Sequence, residues 1–143
     1  MARIPEVGDA RTMSFLRTLA RLALGSAMVF AGTAHLTFAR EEFQAQVPDW
    51  FPLDEDLTVL GSGVVEIGLG AALVAAPKAR RPLVGGLLAA FFVAIFPGNI
   101  AQYLEQKDAF GLDTDTKRLV RLFFQPVLVL AALWTGEVLR RRD

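Results

Sequence analysis

The chain has 143 residues, of which 53% are hydrophobic and 21% are charged, and its 15 basic residues are balanced by 15 acidic ones. Zero net charge offers no general attraction to nucleic acid, and the lack of cysteine excludes disulfides and thiol redox chemistry within this chain. A chain this apolar, with its charges gathered in short connecting segments, is typical of a polytopic helical membrane protein.

Four apolar runs follow one another along the chain, each close to the ~20 residues with which a helix crosses ~30 Å of hydrocarbon. They are Leu22–Phe38, Leu57–Ala76, Leu83–Tyr103 and Leu122–Leu139. None shows the polar face that each helix of a soluble four-helix bundle carries. The sequence therefore predicts an all-α fold, an integral membrane bundle of four transmembrane helices.

The lysines and arginines predict the orientation of this bundle. Ten of them lie before the first run, in the turn at residues 77–82 or at the C-terminus, and five lie on the opposite side. Positive charge is retained in the cytoplasm, so both termini are expected there. Three parts follow: a poorly ordered cytoplasmic tail (1–14) containing Pro5 and Gly8, a transmembrane domain (15–139), and a basic cytoplasmic C-terminus (140–143).

Segment 39–56 (AREEFQAQVPDWFPLDED) differs from the other connections because aromatic side chains lie in it among acids and prolines. Such a segment is expected to rest on the membrane surface as a loop or short helix. It has two interpretations. It is an aromatic anchor at the membrane surface, or it is a lid over an opening between the helices.

Glu66 is the most informative single residue, since no other charge occurs in its run. A carboxylate in a lipid-spanning helix costs several kcal/mol unless it faces protein and finds a partner. Helical spacing places it on one stripe with Gly63 and Gly70, and places His35 on one stripe with glycines of the first run. Both side chains are therefore predicted to point into the bundle, with Glu66 within hydrogen-bonding reach of a polar side chain on another helix.

Further polar side chains are expected at a similar depth, in the outer half of the bundle. They are Asn99 and Gln102 on the third helix and Arg121 and Gln125 on the fourth. Pro97 and Pro126 each remove a helical hydrogen bond nearby, which loosens the helix and leaves carbonyl groups free. These features suit a ligand pocket. They also suit plain helix packing, in which amides join helices and Arg121 reaches toward lipid phosphates.

Five short motifs in this order resemble the DoxX family of small four-helix membrane proteins over residues 15–139. They are residues 31–35 (AGTAH), 47–52 (VPDWFP), 62–70 (SGVVEIGLG), 96–100 (FPGNI) and 121–126 (RLFFQP). The resemblance implies a four-helix bundle in a bacterial-type plasma (inner) membrane. It also implies an association with redox processes, including quinone-linked ones and membrane complexes that handle oxidative stress.

Three functions from different classes remain open. In the first, the bundle binds a quinone-like or other lipophilic small molecule, as an oxidoreductase component; Glu66 and His35 handle a proton as catalytic residues, and Asn99, Gln102, Arg121 and Gln125 bind the ligand. In the second, it is a non-catalytic scaffold or subunit of a larger complex, beside a membrane or peripheral redox protein. In the third, it transports a small solute as a homo-oligomer. No motif predicts a metal, nucleotide or nucleic acid site.

Overall fold

The computed structural model describes residues 7–109 and 111–140, and these two ranges contain helices and no strands. The helices are α1 (Val7–Leu36), α2 (Arg40–Gln44), α3 (Glu55–Ala75), α4 (Arg81–Leu104) and α5 (Asp115–Thr135), with a 3₁₀ turn at Lys78–Arg80 before α4. The helices α1, α3, α4 and α5 are long and apolar enough to cross a membrane. The all-α fold class and the four long helices are therefore confirmed for the described residues.

Capping residues explain where α3 and α5 begin. The Asp54 side chain accepts a hydrogen bond from the Leu57 amide at 3.1 Å, and the Thr114 side chain accepts one from the Lys117 amide at 3.2 Å. Each cap satisfies one of the amide groups that the first turn leaves free. The Thr114 cap starts α5 at Asp115, earlier than the apolar run that begins at Leu122, because a helix can extend through polar residues beyond the membrane.

The expectation of an irregular tail over residues 1–14 does not hold for residues 7–14, which form the start of α1. Gly8 and Asp9 lie in the first turn, where an acidic side chain interacts favourably with the helix dipole. Pro5 is one of residues 1–6, which lie outside the described part of the chain.

Glycines bring α1 and α3 into backbone contact. A Cβ atom built on Gly32 would lie 2.6 Å from the carbonyl oxygen of Gly63, and one on Gly70 would lie 2.6 Å from that of Gly25. Only residues without a side chain fit at such contacts, as is common where membrane helices pack. The stripes predicted for these two helices are therefore observed as facing surfaces.

The helices α4 and α5 form a second close pair, joined near the 3₁₀ turn by Gly85 and Gly136. An apolar core occupies the half of the bundle nearer this turn and draws on all four long helices. It consists of Met28, Leu73, Leu88, Ala89, Phe92 and Ala132. His35, Glu66, Asn99 and Gln125 are buried polar residues that lie toward the other half.

The glycine contact predicts a strongly position-dependent effect of adding one methyl group. Gly32→Ala should lower the free energy of unfolding in detergent by about 1–3 kcal/mol, since the new Cβ must displace the backbone of α3. Gly68→Ala is the matched control on α3, because a Cβ there meets no atom within 4 Å. It should leave stability unchanged or raise it through better helix propensity. Equal thermal unfolding curves for the two variants would contradict the packing described here.

Candidate functional site

A cavity of about 540 Å³ lies between the four long helices, in the half of the bundle away from the 3₁₀ turn. This volume is in the range of small-molecule sites, which are ~300–1,000 Å³. Most of its lining is apolar, and four of the six predicted site residues line it. Those four are His35, Glu66, Asn99 and Arg121.

His35 and Glu66 face each other across the contact between α1 and α3. Each follows by three residues a glycine of that contact, Gly32 and Gly63, so the close backbone approach brings the two side chains together. The Nδ1 atom of His35 lies 3.0 Å from Oε2 of Glu66, and both side chains are buried. The predicted approach of Glu66 to a polar side chain of another helix is confirmed.

The contact is close, but the geometry assigns the His35 hydrogen elsewhere. Nδ1 also lies 2.7 Å from the carbonyl oxygen of Ala31, and because a carbonyl can only accept, Nδ1 must carry the hydrogen that it donates there. The Oε2 atom of Glu66 is buried and has no hydrogen-bond partner among the described residues. Glu66 therefore has unused hydrogen-bonding capacity at the cavity wall, which is costly in a packed interior.

An aromatic ring from outside the four long helices packs against His35. The ring of Phe43, in α2, stacks on the imidazole with centroids 3.4 Å apart and planes 15° from parallel. Phe43 was not among the predicted site residues. Its aromatic character within segment 39–56 was the available signal, but a connection without helical periodicity does not show which helix it covers.

Gln125 organises the opposite wall. Its side-chain oxygen accepts hydrogen bonds from Asn99 Nδ2 at 3.2 Å and from Arg121 Nη1 at 3.1 Å. Its amide nitrogen donates to the carbonyl oxygen of Phe92 at 2.7 Å, in the helix that contains Pro97. With 1% of its surface exposed and its bonds made within the protein, Gln125 lies behind the cavity wall and positions two residues that reach it.

Arg121 brings an unpaired positive charge to the cavity. No carboxylate lies within 4 Å of its guanidinium group among the residues described here; Gln125 and the face of the Phe124 ring, 5.8 Å away, are its neighbours. Arg118, one turn earlier, is paired with both Asp108 and Asp115. An arginine without a counter-charge in a partly apolar site is well suited to an anionic oxygen or a carbonyl group.

Gln102, predicted as a ligand-binding residue, is placed outside the cavity lining. Its side chain is 1% exposed, donates weakly to the carbonyl oxygen of Lys107 at 3.3 Å and accepts from Gln46 at 3.1 Å. It therefore joins the end of α4 to two connecting segments. Spacing put Gln102 one turn beyond Asn99, but the side chain points to a different neighbour.

Segment 39–56 covers the cavity, as the lid interpretation requires. Five of its apolar residues and one polar residue lie in the lining, although Trp50 also exposes 69% of its surface, as an anchor would. The five are Phe43, Val47, Pro48, Trp50 and Phe51, and Gln46 joins them. The close approach of the Gln46 carbonyl to Gly98 leaves no room for a side chain at that position of α4.

Polar contacts hold both ends of segment 39–56. Arg40 pairs with Asp56, which also accepts a hydrogen bond from Gln44 at 2.9 Å. Between these ends Lys107 binds Asp49 at 3.1 Å. Burial disfavours the charge of Lys107, but hydrogen bonds to Glu105 and Asp49 outweigh it and raise the pKa of Lys107 above its usual value. This contact is therefore retained at neutral pH.

The two walls of the cavity carry different ionisable groups, a carboxyl group on one and a guanidinium group on the other. Glu66 and His35 lie on the wall made by α1 and α3, and Asn99 and Arg121 lie on the wall made by α4 and α5. Glu66 and Arg121 line the same cavity without forming an ion pair. A molecule with an apolar body and hydrogen-bonding groups at its head would contact both walls at once.

Comparison with known proteins gives one family. No curated protein and no solved structure matches the chain. Residues 24–136 match the family described as Domain of unknown function (DUF8561), a stretch that contains the four predicted site residues that line the cavity, the whole of α3, α4 and α5, and the last part of α1. The match spans well over half of the sequence, and the chain therefore belongs to the DUF8561 family.

Proposed function

We propose that this protein is a multi-pass protein of a bacterial-type plasma (inner) membrane that binds a quinone-like or similar lipophilic small molecule in the cavity beneath segment 39–56. The observation that carries the proposal is a pair of groups on facing walls of a mostly apolar cavity: Glu66, whose buried Oε2 atom has no hydrogen-bond partner among the described residues, and Arg121, which has no carboxylate within 4 Å there. A buried oxygen without a hydrogen-bond partner and a cation without a counter-charge are both unfavourable in such a site, and a bound molecule whose polar groups reach both walls would contact them.

Membrane placement is supported by the surface of the long helices. Large apolar side chains are exposed along them, as on α5, where Phe123, Val127 and Leu130 are each more than half exposed. Water would not favour such a surface, and hydrocarbon would. The concentration of Lys and Arg near the 3₁₀ turn and the termini supports the orientation with both termini in the cytoplasm.

The proposed roles follow from donor and acceptor chemistry. Arg121 and Asn99 would donate hydrogen bonds to a ligand carbonyl or anionic oxygen, and Gln125 would hold both in position. Conversion of a quinone to a quinol takes up two electrons and two protons. Glu66 and His35 would pass the protons to the ligand oxygens, and a partner redox protein would supply the electrons.

The redox part of this proposal rests on the resemblance to the DoxX family. The alternative is a non-catalytic scaffold. The contacts of Gln102 and Gln125 favour it, since both side chains form hydrogen bonds within the protein. It does not account for Glu66, whose buried oxygen has no partner among the described residues. The ligand hypothesis therefore explains the residue that the packing hypothesis leaves unexplained.

The orientation has a direct test, because the chain contains no native cysteine. An Ala79→Cys variant, in the 3₁₀ turn, should be labelled by a membrane-impermeant thiol reagent only after the cells are opened. A Glu41→Cys variant, at an exposed position of α2, should be labelled on intact cells. The reverse pattern would overturn the proposed orientation.

The ligand site is tested by Glu66→Gln, which keeps size and hydrogen-bonding capacity but removes the ionisable group. The folded bundle should be equally or more stable, while any ligand-dependent proton transfer falls by about 10²-fold. His35→Ala should also reduce turnover more than stability. Quinones that co-purify with each variant are measured by mass spectrometry per mole of protein, alongside ligand-dependent activity and the melting temperature.

Glu55→Gln serves as the matched control, since Glu55 lies on the same helix but is exposed and outside the cavity. It should behave as the original protein does. Full activity and full ligand content in a normally folded Glu66→Gln protein would exclude proton handling. A scaffold role instead predicts that activity of the parent complex survives Glu66→Gln, while Glu66→Leu lowers the melting temperature.

A further inference from the structure

A second hollow lies at the opposite end of the bundle, beside the 3₁₀ turn, with a volume of about 740 Å³. We call it the basic hollow, because five cationic side chains line it and one carboxylate does. The cations are Arg17, Arg21, Lys78, Arg81 and Arg140, and the carboxylate belongs to Glu137. None of these residues contributes to the cavity described above.

The single carboxylate cannot neutralise this group. Glu137 is shared between Arg17, at 3.5 Å, and Arg140, at 3.3 Å. Within residues 7–109 and 111–140, neither Lys78 nor Arg81 has a carboxylate within 4 Å. A concave site with this excess of like charge attracts anions, since each cation is repelled by the others until a negative group binds among them.

Two arginines of the basic hollow have different tasks. Arg21 is buried and donates to the carbonyl oxygens of Leu73 and Val74, at 2.8 and 2.7 Å, so it caps the last turn of α3. Arg17 instead lies over the Trp134 ring, 5.5 Å from its centroid, and its Nε atom is buried without a hydrogen-bond partner in the described part of the chain. Arg17 therefore offers an unused donor.

The surroundings of the charges indicate where an anion would come from. Exposed apolar side chains of α1, of α5 and of the residues after α5 border the basic hollow, among them Met13, Leu130 and Leu139. Trp134 lines the hollow with them and lies under the Arg17 guanidinium, and tryptophan is a residue type enriched at membrane–water interfaces. Cations beside an apolar border match a lipid, whose phosphate and acyl chains leave one molecule in opposite directions.

We propose that the basic hollow binds a phosphate-bearing anion, in the first place the headgroup of an anionic phospholipid of the cytoplasmic leaflet. Arg17, Lys78 and Arg81 would contact the phosphate, Arg21 would hold the end of α3 that shapes the site, and the border of Met13, Leu130 and Leu139 would contact the acyl chains. The lipid source depends on the membrane placement proposed above. The site does not depend on a ligand in the other cavity.

The test uses the whole protein in a neutral detergent and a pair of double variants that lose equal charge. Arg17→Gln with Lys78→Gln removes two cations of the basic hollow. Arg11→Gln with Arg80→Gln removes two exposed cations that lie close by in sequence but do not line it. Native mass spectrometry measures binding of phosphatidylglycerol and of phosphatidylcholine with the same acyl chains, and a thermal shift measures binding of inorganic phosphate.

The unmodified protein should retain phosphatidylglycerol in preference to phosphatidylcholine. The first double variant should lower that affinity by about 10- to 30-fold, and the control pair should stay close to the unmodified protein. A different result would support the site with a soluble phosphate as its ligand. In that case inorganic phosphate stabilises the unmodified protein, the first double variant loses this stabilisation, and no lipid is retained.

If the double variant does not fold, Lys78→Gln alone, at an exposed position of the turn, should weaken binding about fivefold. Equal effects of both pairs of substitutions would overturn the proposal. So would a protein that neither prefers phosphatidylglycerol to phosphatidylcholine nor is stabilised by inorganic phosphate. Neither result would bear on Glu66, so failure here is distinguishable from failure of the proposed ligand site.

Discussion

The close contact of α1 with α3 at paired glycines determines where the remaining features of the site lie. His35 and Glu66 lie three residues after Gly32 and Gly63. Because the backbones touch at these two glycines, the two side chains are brought into contact. A larger residue at either glycine would move the two helices apart, and with them the His35 and Glu66 side chains. Helix packing and the site therefore depend on the same contact. This contact joins α1 to α3, and it also buries Glu66, whose Oε2 atom has no hydrogen-bond partner among the described residues.

The bundle consists of two helix pairs, with an apolar core nearer the 3₁₀ turn and the cavity beneath segment 39–56 toward the other end. Leu73, Leu88 and Ala132 belong to this core. At the other end, Gln125 holds Asn99 and Arg121 on the α4–α5 wall, opposite Glu66, and segment 39–56 covers the space between. The apolar core contributes stability by burying side chains of all four long helices, while the cavity keeps polar groups that packing alone would not favour.

Much of this arrangement could be predicted from the sequence, for a physical reason. Length and apolar content gave the four long helices, and a period of 3.6 residues put His35 and Glu66 on inward faces because glycines shared those faces. Periodicity describes one helix at a time, so it could not show that Gln102 turns to the connections while Asn99 reaches the cavity. Segment 39–56 has no regular period, and its stacking of Phe43 on His35 depends on tertiary contacts that no local pattern encodes.

The most direct test of the small-molecule site uses the chain's two tryptophans. Trp50 lines the cavity, and Trp134 lines the basic hollow. In a Trp134→Phe protein, fluorescence comes from Trp50 alone, and titration with a soluble short-chain quinone should quench it with saturation. Adding Arg121→Gln should weaken that saturable quenching, and a Trp50→Phe protein, reporting from Trp134, should show only the linear loss caused by collisions. Linear quenching of Trp50, or identical titrations from both tryptophans, would contradict a small-molecule site beneath segment 39–56.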